Sequence, residues 1–459
     1  MDKIFPLADQ IEMLGSALKG RVVGPAHPDY EALRSVVNGK YDCRPAAVLR
    51  PANAADVAAA VNFAQATGLE LAIRSGGHSI TGASGTEDGL LLDLRDLTGI
   101  DIDAAARTAW VGAGLSTGEI TRAVEAEGLI VGFGDTASVG VGGLTLGGGI
   151  GYLVRKYGLT IDSLLAVEIV TAAGDILVAD EAHHADLFWA LRGGGGNFGV
   201  ATRFKFRLYP LPAFTGGALA LPATPEVLAG FAAAAEAAPD ELSSIVLVMP
   251  APPLPVLPAA VHGKLIVVAL MAFAGEPAAA EAALAPFRAL ATPLADLVRP
   301  APYSSLYELA PPEVGRPAVT MRSRFVDGFS LEQARAMIAA LETCTAPMKM
   351  AQLRVLGGAA ARVPADATAF AHRASRVMVA FMSMYGGAPD VVAAQEGWAD
   401  AAMAPFAGHE TGAYVNFLGP EGARGLAAAY PAATLARLRQ VKRRYDPENL
   451  FRLNQNIVP

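Results

Sequence analysis

The stretch GFGDTASVGVGGLTLGGGIGYLVRKYG, Gly132 to Gly158, decides how this chain is read. Glycine at this density frees the backbone to make tight turns. It also lets successive N–H groups point into one concavity, an arrangement suited to phosphate oxygens. One such stretch would mean only turns between strands. Here there are three: RSGGHSITGAS (Arg74–Ser84) lies upstream and WALRGGGGNFG (Trp189–Gly199) downstream. Three clusters in one region point to backbone brought close to a cofactor. The first carries a lone imidazole, His78, among residues of little bulk.

Working outward, VLRP ends a strand, and Asn53 is a suitable N-cap for the helix AADVAAAVNFAQAT, which Gly68 stops. LELAIRS and GLLLDLRDL then read as buried strands, and TAWVGAG as another. STGEITRAVEAEG is a helix capped by Ser116 or Thr117. LLAVEIVTAAGDILVAD is a hairpin turning at Ala173-Gly174-Asp175. In VATRFKFRLYP, Val200, Thr202, Phe204, Phe206 and Leu208 alternate with charged residues, the pattern of a half-buried strand.

Beyond Pro210 the texture changes. Strand-like runs (SSIVLVMP, LIVVALMAFAG, KMAQLRVLGG, RVMVAFMSMYG) alternate with alanine-rich helices such as LEQARAMIAALET. The expected fold is α+β: a glycine-rich cofactor domain over residues 1–210, and a substrate domain over 211–412 built on an antiparallel sheet with helices on one side. A C-terminal segment, 413–459, returns to the first domain.

A chain of 459 residues with 53% hydrophobic and 17% charged residues can bury two cores. The net charge of −8, with no basic run, argues against a nucleic-acid partner or an anionic membrane surface. The apolar stretch GKLIVVALMAFAG is too short to span a membrane. Polar residues interrupt the apolar start, which makes a poor secretory leader. Two cysteines, Cys43 and Cys344, read as ordinary thiols of a reducing compartment, so the expected location is the cytoplasm. Either a monomer or a homo-oligomer fits.

Common site motifs are absent. GAGLST at Gly112 lacks the third glycine of the dinucleotide fingerprint, and no P-loop, zinc-ligand spacing or G-x-S-x-G elbow occurs. On KMAQLRVLGG, Met350, Gln352 and Arg354 alternate onto one face. Gln352 could orient a polar substrate group. Arg354 could bind an anionic group, stabilise negative charge, or sit in a structural salt bridge. Met378, Ala380, Met382 and Met384 form an apolar stripe read as core.

Taken together, RSGGHSITGAS, GFGDTASVGVGGLTLGGGIGYLVRKYG, WALRGGGGNFGVAT and the terminal YDPENLFRLNQNI resemble the berberine bridge enzyme type of FAD-linked oxidases, of the vanillyl-alcohol oxidase / p-cresol methylhydroxylase fold. Within that group the chain resembles the bacterial branch similar to hydroxynicotine oxidase. The resemblance implies a two-part FAD-binding domain, with FAD bonded covalently to His78. Arg74, Ser75, Gly76, Gly77, Ser79, Thr136, Ser138, Val139, Gly142, Gly143, Gly148, Gly149, Val200, Asn454 and Asn456 would complete the cofactor site. Many members carry a second link through a cysteine where this chain has Thr136, so attachment through His78 only is expected. Valine at position 139 is associated with oxygen access in the plant branch.

The resemblance further implies hydride transfer from a C–H bond of a small molecule (an amine, alcohol or activated aromatic carbon) to the flavin, with O2 as acceptor. Gln352 and Arg354 are the catalytic candidates; Met350 and Phe417 join them as substrate contacts. Many members place a tyrosine base at the end of Y-x-N-Y, where this chain reads YVNF, Tyr414 to Phe417. Strand parity would put Val415 and Phe417 on one face and Tyr414 on the other. Alternatives are an FAD-dependent dehydrogenase tailoring a secondary metabolite, an oligosaccharide oxidase, a reductase on the same fold, and a flavin-binding protein without turnover.

Overall fold

The computed structural model describes residues 6–309 and 315–459. The reading of the chain start as a poor leader therefore lies partly outside the described residues. The glycine-rich half holds two sheets. In the first, strands Ala47–Arg50, Leu90–Asp93 and Leu71–Arg74 run parallel, and Arg21–Val23 joins them antiparallel. The central strand, Leu90–Asp93, is buried along its whole length, as a near-continuous apolar run requires when both faces of a sheet are covered. The helix Ala54–Thr67 connects two of these strands. Its first turn is capped by the Asn53 side chain, and Gly68 stops it in the left-handed conformation.

The second sheet is antiparallel, ordered Ile100–Asp103, Thr108–Gly112, Val200–Arg207, Leu164–Val170, Ile176–Asp180. The last two strands are the expected hairpin. Val200, Thr202, Phe204 and Phe206 are buried while Arg203 and Arg207 are exposed, as their alternation predicts. Ser116 and Glu119 form a reciprocal capping box on the helix Thr117–Ala126.

From Phe214 to Gly412 the chain builds one nine-stranded sheet whose pairings are all antiparallel. Helices Pro225–Ala237, Pro277–Arg288, Leu331–Thr343 and Pro389–Met403 belong to this part of the chain. Buried residues of the first three and of the fourth's C-terminal end share one core with Ala351, Leu353 and Val355 of the strand Met348–Val355. Alternation sends Met350, Gln352 and Arg354 to the opposite face, which meets the glycine-rich half. Met378 and Ala380 of the apolar stripe are fully buried. Residues Ala413 to Ile457 return to the first half and share its core. No helix among the described residues is long and apolar enough to cross a membrane.

Candidate FAD and substrate cleft

The three glycine clusters and the tail converge on one cavity of about 300 Å³. That volume lies at the small end of the roughly 300–1,000 Å³ found for ligand pockets. The first cluster enters at the end of the strand Leu71–Arg74. Arg74 is buried beneath it, ion-paired with the fully buried Asp93 at 2.8 Å and donating to the Ser35 and Leu33 carbonyls. Burial alone would raise the Asp93 pKa, but Arg95 and Arg74 overcome it and hold the carboxyl below its ordinary value. The Arg74 stem packs under Gly77, whose φ of +78° favours glycine. The chain reverses here and delivers His78 to the cavity wall.

The first and second clusters touch backbone to backbone. A Cβ on Gly76 would lie 2.2 Å from the Gly140 nitrogen, and one on Gly140 would lie 2.2 Å from the Gly76 nitrogen. Ser75 stitches the crossing, donating to the Ala113 carbonyl at 2.6 Å and accepting from the Gly142 N–H at 3.2 Å. Many of these glycines therefore serve loop-on-loop packing. Others face open space: nothing lies within 4 Å of a Cβ built on Gly143 or Gly196, and both line the cavity. These two form bare backbone walls that a ligand can approach closely.

The third cluster is tied to the tail. Asn454 donates to the Gly196 carbonyl, and Asn197 donates to the Gln455 carbonyl while accepting from the Ile457 N–H. The fully buried Lys442 ammonium donates to the Asn197 and Phe451 carbonyls and to Asp446. Burial presses its pKa down, against the pull of Asp446. Asn454 keeps a buried Oδ1 without a protein partner, an acceptor open to a ligand donor.

Of the residues expected around the cofactor, Ser75, Gly76, Gly77, His78, Ser79, Val139, Gly142, Gly143, Val200 and Asn454 line this cavity. Arg74, Thr136, Ser138, Gly148, Gly149 and Asn456 lie outside its lining. The Gly149 N–H is committed to the Tyr414 hydroxyl at 3.0 Å, and the Gly148 N–H to the Thr145 carbonyl. Thr136 Oγ1 donates to its neighbour Asp135. Neither cysteine lines the cavity: Cys344 is buried in a small cluster of the other half, and Cys43 packs near Gly85.

On the sheet side, Arg354 and Phe417 line the cavity while Met350 and Gln352 do not. Arg354 is almost fully buried and heavily engaged. It pairs with Asp135 at 2.6 Å, donates to Gln352 Oε1 at 2.9 Å and the Ile150 carbonyl at 3.2 Å, and lies over the Phe417 ring at 5.1 Å. The salt bridge is thus one of the expected roles that Arg354 occupies, and Gln352 accepts from it.

The parity reading of YVNF does not hold. Val415–Phe417 is a 3₁₀ turn, in which residues three apart share a face. Tyr414 and Phe417 therefore lie side by side, with ring centroids 5.2 Å apart, and both line the cavity. The Tyr414 oxygen accepts from the Gly149 N–H and from Asn416 Nδ2, each at 3.0 Å. Burial raises the phenol's pKa in spite of these donors, so it stays protonated near neutrality.

Asp135, Tyr414, Asn416 and Asn197 line the cavity and were not among the expected site residues. For Asp135 a signal existed: it is the sole charge between Leu129 and Val154.

A cleft walled by bare glycine backbone, with a histidine at one side and a sheet face at the other, can hold a cofactor between the two halves. Residues 45–180 match the FAD binding domain family and residues 413–458 the family described as berberine and berberine like. FAD-linked oxidoreductase YgaK of Bacillus subtilis is 30% identical over 454 residues, covering 96% of this chain and 97% of its own. (R)-6-hydroxynicotine oxidase of Paenarthrobacter nicotinovorans is 38% identical over 196 residues, 43% of each chain. The crystal structure of 6-hydroxy-D-nicotine oxidase from Arthrobacter nicotinovorans superposes with a TM-score of 0.86 at 28% identity, covering 96% of this chain and 98% of that one. The chain belongs to the berberine bridge enzyme-like FAD-linked oxidoreductases.

Proposed function

We propose that this protein is an oxidase that carries FAD bonded through His78 only. It removes a hydride from a C–H bond of a small uncharged molecule and passes the electrons to O2, releasing H2O2. The observation that carries this reading is the placement of His78 on the wall of a glycine-lined cavity with no cysteine in its lining. Residues 1–210 and 413–459 would form the FAD-binding part, and 211–412 the substrate part.

Bound FAD supplies the two-electron acceptor. The chain's own residues do the rest. The His78 loop and the backbone at Gly143 and Gly196 hold the cofactor, and Asn454 offers it an acceptor. Phe417, Tyr414 and Ile150 wall the substrate space and limit water.

With His78 assigned to the cofactor, the other acid–base groups of the lining are engaged: Asp135 pairs with Arg354, and Tyr414 is a protonated phenol that already accepts two hydrogen bonds. Hydride loss driven by an amine lone pair needs no such base, whereas an alcohol must also surrender its hydroxyl proton. A neutral amine is therefore the favoured substrate class, ahead of an alcohol or an activated aromatic carbon.

Intact-mass measurement of the denatured chain tests the attachment: it should carry one FAD, and His78→Ala should lose it. A screen of cyclic amines, alcohols and sugars for peroxide release tests the reaction. An unmodified wild-type mass would overturn the covalent reading.

A further inference from the structure

Arg354 and Asp135 come from different halves of the molecule, 219 residues apart, and meet at 2.6 Å on the cavity wall. We propose that this pair is a charge filter: Asp135 neutralises Arg354, so the cavity accepts uncharged organic molecules and turns away carboxylates. The inference rests on the reading above that this cavity takes the substrate.

The pair is built to stay closed. The Arg354 guanidinium is 3% exposed and is held by Gln352 and by the Ile150 carbonyl as well as by Asp135. Asp135 is fixed through its main chain. The Tyr152 hydroxyl donates to its carbonyl at 3.4 Å, and the Tyr307 hydroxyl to that of Gly134 at 3.3 Å. Burial raises both phenols, Tyr307 to about 12, so both remain donors.

An unpaired guanidinium on the cavity wall would be a strong carboxylate site, because its planar fork matches a carboxylate. Asp135, Gln352 and the Ile150 carbonyl already take up that fork's donors. An incoming anion would have to displace it and leave a second carboxylate unpaired in the same space. Selection thus comes from a repulsive element as well as an attractive one. Removing either partner leaves the other as an uncompensated charge, and a ligand of opposite sign can then supply the missing half.

The test uses the whole holoprotein under anaerobic conditions, with benzoate, benzylammonium and benzyl alcohol as probes of one ring size and three charges, read by calorimetry. Asp135→Asn should bind benzoate at least about ten-fold more tightly than the wild type. Arg354→Gln should bind benzylammonium at least about ten-fold more tightly. Benzyl alcohol should move by less than about three-fold in both. The two variants report independently, so failure of one to fold leaves the other decisive.

Unchanged benzoate and benzylammonium affinities in the folded variants would overturn the filter, as would a wild type that binds benzoate as tightly as benzyl alcohol. Loss of the oxidase reading looks different. The probes would still report the charge swap, while no compound in the peroxide screen would turn over.

Discussion

The two walls of the cleft are made of different material. The cofactor wall is backbone: glycines 76 and 140 crossing within 2.2 Å of one another's missing Cβ, and glycines 143 and 196 facing open space. The proposed substrate wall is side chain: Arg354, Asp135, Phe417 and Tyr414, with Arg354 held by pairings between distant parts of the chain. Where its loops cross, the backbone wall tolerates almost no added atom. A side-chain wall can be rewritten residue by residue, which suits the part of an enzyme that must differ between relatives.

The largest effect should follow from an atom added where the backbone walls cross. Gly140→Ala forces a Cβ against the Gly76 backbone, which cannot yield as a side-chain tip would. It should cost about 4 kcal/mol or more, or give insoluble protein; denaturant unfolding and flavin content check this.

Next come the buried charges that anchor the same wall. Lys442→Met strips a donor from two carbonyls and Asp446, and should cost about 3–5 kcal/mol, with a smaller fraction of purified chains carrying FAD. Asp93→Asn leaves Arg74 buried without its counter-charge and should cost a similar amount near neutrality. Because the Asp93 carboxyl is held below its ordinary value when folded, its stabilisation is complete above the unfolded pKa of about 4 and is lost as pH falls through the lower folded value. The gap in Tm between wild type and variant should therefore be flat above about pH 5 and should narrow in acid.

On the substrate wall a smaller change is expected. Tyr414→Phe removes the acceptor of the buried Gly149 N–H and should cost about 1–3 kcal/mol with FAD retained.

The smallest effect on stability sharpens the comparison most. Gly143→Ala meets nothing within 4 Å, so Tm of the cofactor-free protein should barely move, while the fraction of chains that take up FAD falls because the added methyl enters the cavity. Equal losses of stability in Gly140→Ala and Gly143→Ala would erase the distinction between packing glycines and ligand-facing ones.

The same contrast explains what could be read from the sequence. Local rules placed the Asn53 cap, narrowed the next to Ser116 or Thr117, and placed the hairpin turn near Gly174 and the alternation along Val200–Arg207, because each depends on neighbours in the chain. Alternation also put Gln352 and Arg354 on one face. It could not tell that Asp135 would meet Arg354, since that contact exists only once the two halves dock. Tyr414 was misplaced for a different reason: strand parity was applied to a segment that turns as a 3₁₀ helix. Gly148 and Gly149 carried the same glycine signal as Gly143, yet their N–H groups are spent inside the protein. Composition marks where the backbone comes close to something, without saying whether that something is ligand or another loop.

The stitching of Asn197, Lys442 and Asn454 has a consequence for biogenesis. The cleft stays open on one side until residues 442–457 have emerged from the ribosome and docked beside a loop translated some 245 residues earlier. Nucleotide loading is therefore expected to wait until both halves are made, and fragments that stop short of this segment should fail to retain the nucleotide.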